Sequence, residues 1–306
     1  MGIAALNYDN ISKIAESFGD GIAYNEKISE YTSFRIGGVC DVVVRPSSAQ
    51  CIAELIAECR RSAIRYYIFG KCTNVLISDD GLRGVVILID GSFSQVRREG
   101  ENYLVCDAGA SLSKVCQTAR SEGLSGLEFA YGIPGTAGGA LYMNAGAYGG
   151  EMKDVVKYCD YLDTDGTVKR METADMQLSY RHSIFSGSEK VILSVCFGLD
   201  KGSEKEISAK MNETMQKRRD KQPLEFPSAG STFKRPEGYF AAKLIEDSGL
   251  KGYTVGGAQV SEKHSGFVIN KENATAADVR QLISDIRDKV YKDSGVMLEC
   301  EMLFVE

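Results

Sequence analysis

Between residues 132 and 150 the chain reads GIPGTAGGALYMNAGAYGG, with seven glycines in 19 residues. Glycine has no Cβ, so it reaches φ > 0 and lets backbone amides come close to another group. A run this rich in glycine has few side chains to pack into a core. It dictates tight turns instead, and successive N–H groups in such turns form anion-binding nests. The spacing is GxxGxxGG, which is neither the dinucleotide GxGxxG nor the GxxxxGK[ST] phosphate loop. The block reads as a phosphate or cofactor cradle. The competing reading is a loop packed tightly for structural reasons.

The elements around it indicate mixed α and β structure. DVVVR (41–45), IRYYIFG (64–70), GVVILID (84–90) and YLVCDAG (103–109) have strand composition. Ser47 to Gln50 fits a capping box, and Ile52, Leu55, Ile56 and Cys59 follow at helical spacing. Leu112, Val115, Cys116 and Ala119 predict a second helix that Gly123 can end. YCDYLDTDGTVKR predicts a hairpin turning at Asp165-Gly166, and VILSVCFGL (191–199) a further strand. A helix over 203–219 runs into Pro223, Pro227 and Pro236, which places a domain boundary near 200–204. Beyond it, helices are expected at 239–248 and 275–291, the latter capped by Thr275. The final MLECEMLFV reads as one strand, with Glu299 and Glu301 on the same face.

Composition narrows the function. The 306 residues suffice for about two domains at ~150 residues each. The net charge of −6, with Lys and Arg dispersed apart from Lys217-Arg218-Arg219, speaks against a nucleic-acid partner. That short basic run reads as a solvated helix end. No apolar run is long enough to span a membrane. The start, MGIAALNYDNISKIAESFGD, lacks a basic n-region, and Leu6 stands where a myristoylation signal needs Ser or Thr, so a cytoplasmic protein is expected. Nine cysteines without a CxxC read as free thiols, and with two histidines a three-His metal site is excluded.

Four further stretches could carry chemistry. Gly70-Lys-Cys-Thr-Asn74 follows a strand and is either a phosphate-binding turn or a plain connector. Tyr180-Arg181-His182 offers a guanidinium suited to a carboxylate, or simply a surface arginine. Ser231, framed by Pro227 and Pro236, lacks the GxSxG of a hydrolase elbow and reads first as a turn serine. Glu299 and Glu301 are ordinary strand carboxylates unless burial gives one of them a partner.

Taken together and in order, YTSFRIGG (31–38), FGKCTNVLISDDGLRG (69–84), GIPGTAGGALYMNAGAYGGE (132–151), YRHSIF (180–185), SAGSTFKRP (228–236) and LECE (298–301) resemble the UDP-N-acetylenolpyruvoylglucosamine reductase family, the MurB flavoenzymes of peptidoglycan synthesis. No tyrosine-bearing insertion occurs between 185 and 220, so the resemblance is to the shorter type. It implies an α+β protein. A two-subdomain FAD-binding fold of the vanillyl-alcohol oxidase (PCMH) type would cover 1–200, roughly 1–90 and 91–200. A C-terminal substrate-binding domain would cover 204–306. It implies FAD, NADPH and the small-molecule substrate UDP-N-acetylglucosamine enolpyruvate, and a monomer is expected. The 69–77 turn holds no histidine, so the FAD would be noncovalent.

The resemblance also implies roles. FAD would be held by Thr32, Arg35 and Gly37, by Gly70, Lys71, Cys72, Thr73, Asn74, Val75 and Leu76, and by Gly132, Ile133, Pro134, Gly135, Thr136, Gly138, Gly139, Asn144 and Gly146. Arg181 would stabilise enolate charge, Ser231 would donate a proton to C2, and Glu301 would stabilise the enol. Tyr180, Lys221 and Lys234 would contact substrate. Two departures stand out. Cys72 is larger than the small residue usual there, and Arg235 replaces the Asn of some members. An oxygen-using oxidase of the same fold, or a non-enzymatic nucleotide binder, would not need the Arg181, Ser231 and Glu301 set.

Overall fold

A computed structural model of the chain describes residues 8–306. The Gly2-to-Leu6 stretch considered above lies outside them. The N-terminal half holds α1 (Asp9–Ser17), β1 (Gly21–Lys27), β2 (Val39–Arg45), α2 (Ala49–Arg61), β3 (Tyr66–Phe69), β4 (Val75–Ile77), β5 (Leu82–Leu88), β6 (Val96–Glu99), β7 (Tyr103–Asp107), α3 (Leu112–Ser121) and β8 (Leu124–Ser125). Next come α4 (Ala137–Tyr142), β9 (Gly146–Ala147), β10 (Gly150–Glu151), α5 (Met152–Val155), β11 (Val156–Leu162), β12 (Val168–Glu172), β13 (Val191–Gly198) and β14 (Asp200–Lys201). The remainder is α6 (Glu204–Lys221), α7 (Ala241–Asp247), β15 (Thr254–Val255), β16 (Ala258–Val260), β17 (Val268–Asn270), α8 (Ala276–Ser294) and β18 (Leu303–Val305).

By contact the residues form two units. One holds the residues through Tyr24, Val42–Lys71 and Gly84–Gln216; the other holds Asn25–Asp41, Cys72–Arg83 and Lys217–Glu306. This grouping differs from a contiguous division at 200–204. The physical reason lies in one pairing: β18 runs parallel to β4, with Leu303 opposite Val75 and Val305 opposite Ile77, so an early strand is completed by the end of the chain.

In the first unit, β3 pairs parallel to β5, Tyr66 against Val85. Their sheet has the order β1–β2–β5–β3. A second, antiparallel sheet has the order β12–β11–β13–β7–β6. Its β11–β12 hairpin closes where Asp165-Gly166 predicted, and Gly166 has φ +82°. The α2 stripe of Ile52, Leu55, Ile56 and Cys59 is buried with Val42, Val44, Val85 and Ile87. The cap is one residue later than the sequence suggested. Ser48 accepts from Cys51 N–H, while Gln50 turns to Glu54. The helix starts at Ala49, and Ser48, in extended conformation, is the residue beside the first-turn amides.

In the second unit, α8 buries Val279, Leu282, Ile283, Ile286 and Val290 with Phe34, Leu76, Val260 and Val268. At about 1.5–3 kcal/mol per fully buried aliphatic side chain, this stripe outweighs helix propensity as the source of stability. Thr275 caps α8 as expected, and Gly295 ends it at φ +71°. Two readings change. Arg218 is buried rather than solvated, because α6 packs along its length. The C-terminal run is not one strand. Only Leu303–Val305 pairs with β4, while Cys300 forms an isolated bridge with Phe233. The chain switches partner between the two, so Glu299 is exposed and Glu301 half-buried.

Candidate active site

In the second unit the site is organised around Thr232, which is buried and follows Ser231. Its N–H donates to Gly266 O (2.9 Å), its Oγ1 accepts from Val268 N–H (3.0 Å), and its carbonyl accepts from Glu301 N–H (2.9 Å). These three bonds fix Thr232, the first of them through the Ser231–Thr232 peptide, and bring the Glu301 backbone alongside Thr232. Gly230, just before, has φ +76°, a conformation that L side chains adopt at a cost of roughly 1–2 kcal/mol.

The same terminal run is held from the other side by Asn74. Asn74 Nδ2 donates to Glu301 O (3.2 Å), and Leu303 N–H donates to Asn74 O (3.0 Å). Ser33 N–H donates to Cys72 O (3.2 Å), which ties this turn to the 31–38 turn. Cys72 is buried with φ +47°, so a cysteine stands in the left-handed region where the smallest residue fits best. Val75 and Leu76 continue as buried strand residues of β4.

Thr32 is buried, and its hydroxyl donates to Ile36 O (3.2 Å) within its own turn. Arg35 has φ +55°, and its amide donates to Thr32 O (3.2 Å). A Cβ at Gly37 would press on Ile28, so that glycine serves a close approach of backbone to core. Asn270, which sequence reasoning missed, donates to Phe34 O (3.1 Å) and accepts from Ala274 N–H (2.9 Å). Its only sequence signal was a polar residue closing the apolar run FVIN. Lys234 pairs with Glu299 (3.3 Å) at the surface, and Lys221 is exposed in the last turn of α6.

In the first unit, Gly132 and Gly135 both have positive φ, and Thr136 caps α4. The α4 amides are engaged: Ala137 N–H donates to Ala110 O (2.8 Å), Gly138 N–H to Ala108 O (2.8 Å) and Gly139 N–H to Thr136 Oγ1 (3.3 Å). Gly138 is a packing glycine, since a Cβ there would lie 2.8 Å from that of Ala108. Gly139 differs: it is exposed, and a Cβ there would make only an ordinary 3.4 Å contact with the Thr136 hydroxyl. A Cβ at Gly70 would collide with the Thr136 hydroxyl, so the end of β3 and the glycine block meet through a missing side chain. Beside them lie Ile133 and Pro134, uncharged like their neighbours in the turn.

Arg181 stands in a turn closed by paired bonds between Ser179 and His182, with φ +55°. Its guanidinium lies 4.9 Å from the centre of the exposed Tyr180 ring and reaches Gly146 O at 3.4 Å. Asn144 braces this turn. It is fully buried with φ +41°; its Nδ2 donates to Ser179 O (2.9 Å) and Glu151 Oε2 (2.7 Å), and its Oδ1 accepts from Lys153 N–H (2.9 Å). A role for Glu151 was likewise not anticipated from sequence.

A flavin dinucleotide fits this donor set. The 132–136 turn is uncharged and rich in backbone, Gly139 is open, and Gly70 lets a second turn close on Thr136. Among the described residues no cluster of His, Cys, Asp or Glu could hold a metal ion.

Two family models match the chain: an FAD-binding domain over residues 40–172, and the C-terminal domain of UDP-N-acetylenolpyruvoylglucosamine reductase over residues 222–305. The reductase of Caldanaerobacter subterraneus subsp. tengcongensis is 48% identical over 296 residues, 96% of this chain and 97% of that one. That of Clostridium novyi is 46% identical over 298 residues, covering 97% and 96%. The chain belongs to the UDP-N-acetylenolpyruvoylglucosamine reductase family. The crystal structure of the reductase from Thermus caldophilus superposes with a TM-score of 0.78 at 30% identity, over 94% of this chain and 99% of that one. The expected α+β class stands: an FAD-binding domain followed by the reductase C-terminal domain. The chain is an FAD flavoprotein oxidoreductase of peptidoglycan precursor synthesis.

Proposed function

We propose that the chain reduces the enolpyruvyl group of UDP-N-acetylglucosamine enolpyruvate to UDP-N-acetylmuramate in the cytoplasm, as a monomer, with noncovalent FAD and NADPH. The observation that supports this reading is the Thr232 junction, in which the Glu301 amide bonds the carbonyl of the residue that follows Ser231. Bound FAD supplies C3 of the enolpyruvyl group with a hydride taken from NADPH.

The protein's residues handle the charge and the proton. Negative charge develops at C2 and spreads into the carboxylate. Arg181 stabilises it with a planar guanidinium that matches a carboxylate. Glu301 stabilises the enol form. Ser231 delivers the proton to C2, so one hydride and one proton add across the double bond. A serine hydroxyl is a weak acid, so its placement matters, and the fixed Ser231–Thr232 peptide supplies that placement. Lys221, Lys234 and Tyr180 contact the anionic substrate. The flavin is held by the 32–37, 70–76, 132–139 and 144–146 stretches. Within these, Asn144 and Gly138 act by shaping the backbone.

Anaerobic mixing tests the reading. A yellow protein should bleach with one equivalent of NADPH and regain colour only on addition of the enolpyruvyl substrate. Recovery only in air would favour an oxidase. A protein that takes up no FAD would overturn the reading.

A further inference from the structure

The loop between β16 and β17 carries one of the two histidines, and the proposed chemistry does not use it. His264 is half-buried, edge-on to Phe267 with ring centres 5.0 Å apart. Its Nδ1 accepts the Gly266 N–H at 3.2 Å. Gly266 O accepts the Thr232 N–H at 2.9 Å. A Cβ at Gly266 would sit 3.0 Å from the imidazole and 3.3 Å from Ala242, so ring and peptide are in close contact.

We propose that His264 is a positioning residue for Ser231: its Nδ1 lone pair holds the Gly266 amide, whose carbonyl holds the amide of the Ser231–Thr232 peptide. The inference rests on Ser231 being the proton donor. The loop is fixed elsewhere without the imidazole. Ser261 Oγ accepts from Lys263 and His264 N–H groups, and Ser265 Oγ donates to Ala242 O at 2.6 Å. The ring is thus the one titratable group in the chain of bonds that leads to Ser231.

Only the neutral ring with its proton on Nε2 can accept at Nδ1. Burial favours that form and holds the pKa below the ordinary 6.5. A hydrogen bond to the residue's own backbone opposes burial, as does Glu246 of α7, while Lys251, after α7, and Lys221, at the end of α6, act in the same direction as burial. The exposed Glu262 and Lys263 flank the ring on its own loop. Protonation places an N–H where the acceptor was, and the Gly266 amide loses its partner.

Stopped-flow measurements on the holoenzyme test this, with flavin reduction by NADPH and flavin reoxidation by the enolpyruvyl substrate read separately. His264→Ala should slow reoxidation by roughly 10- to 100-fold and leave reduction unchanged. His264→Asn, whose Oδ1 can stand in for Nδ1, should restore most of the rate; His264→Gln, which mimics Nε2, should not. Reoxidation by the wild type should decline below pH 6.5. Its midpoint should match the His264 titration followed by NMR, and the decline should vanish in His264→Asn. Unchanged reoxidation in His264→Ala, equal slowing of both half-reactions, or an acid decline that survives in His264→Asn would each overturn the inference. Ser231→Ala run in parallel separates the two readings. If it leaves reoxidation intact, the proton-donor role fails. If it alone slows reoxidation, only the part played by His264 fails.

Discussion

Thr232 shows how much a single backbone position can decide. Its N–H donates to the β16–β17 loop and its own carbonyl receives the terminal run, so the residue after Ser231 is fixed on both sides without any bond to the Ser231 hydroxyl being required. Ser231→Ala should leave reduction by NADPH intact and slow the substrate half-reaction by a factor on the order of 10²–10⁴, the usual worth of a positioned acid. Single-turnover spectra check it, and equal loss in both halves would remove the role. Arg181→Lys should fail similarly, because an ammonium cannot replace the planar fork; near-normal turnover would exclude enolate stabilisation. Gly70→Ala should weaken FAD retention at an unchanged overall fold, since the added methyl meets the Thr136 hydroxyl. Equilibrium dialysis of FAD reads this directly.

Elements obey local rules where their signals are long and periodic. The α2 and α8 stripes were legible because four or five apolar residues recur at helical spacing, and the hairpin at Asp165-Gly166 because glycine alone takes φ +82° cheaply there. The terminal run misled for the opposite reason. Its alternation is real, but the backbone changes partners after Cys300, and alternation cannot report which strand is the partner. The start of α8 shows a second limit. Thr275 is the legible cap and Asp278 completes a capping box with it, yet the Ala276 and Ala277 amides are met by Asp79, nearly 200 residues away (2.8 and 3.0 Å). Thr275→Ala should cost about 1 kcal/mol in urea unfolding. Asp79→Ala should cost more, about 2–3 kcal/mol, because two charge-assisted bonds are lost. Equal midpoints for the two variants would contradict that ranking.

At the scale of the whole molecule, titration and thiol chemistry follow from burial. Eight of the nine free cysteines are buried, and Cys300 is partly so. Burial raises the thiol pKa, to about 11 at Cys40 and about 12 at Cys59. Alkylation at pH 8 should therefore be slow in the native protein, earliest at Cys300, and complete on unfolding; mass spectrometry would show it. His264 and Asp278 both have pKa values below their ordinary 6.5 and 3.8. The unfolded chain thus binds protons more readily, and their stabilisation is complete above those values and lost on acidification. Thermal unfolding should shift downward first as pH falls below 6.5, and that first shift should disappear in His264→Asn.

The sequence alone determined the α+β class, the main helices and the family, because each rests on local spacing or on an ordered set of motifs. Tertiary structure decided the rest. It gave residues 25–41 and 72–83 to the C-terminal unit, made Gly138 a packing residue and Asn144 a brace, and tied Glu301 to Thr232. Each depends on which distant backbone group satisfies a buried donor or acceptor. That pairing is settled by burial in three dimensions, and it leaves no period in the chain to read.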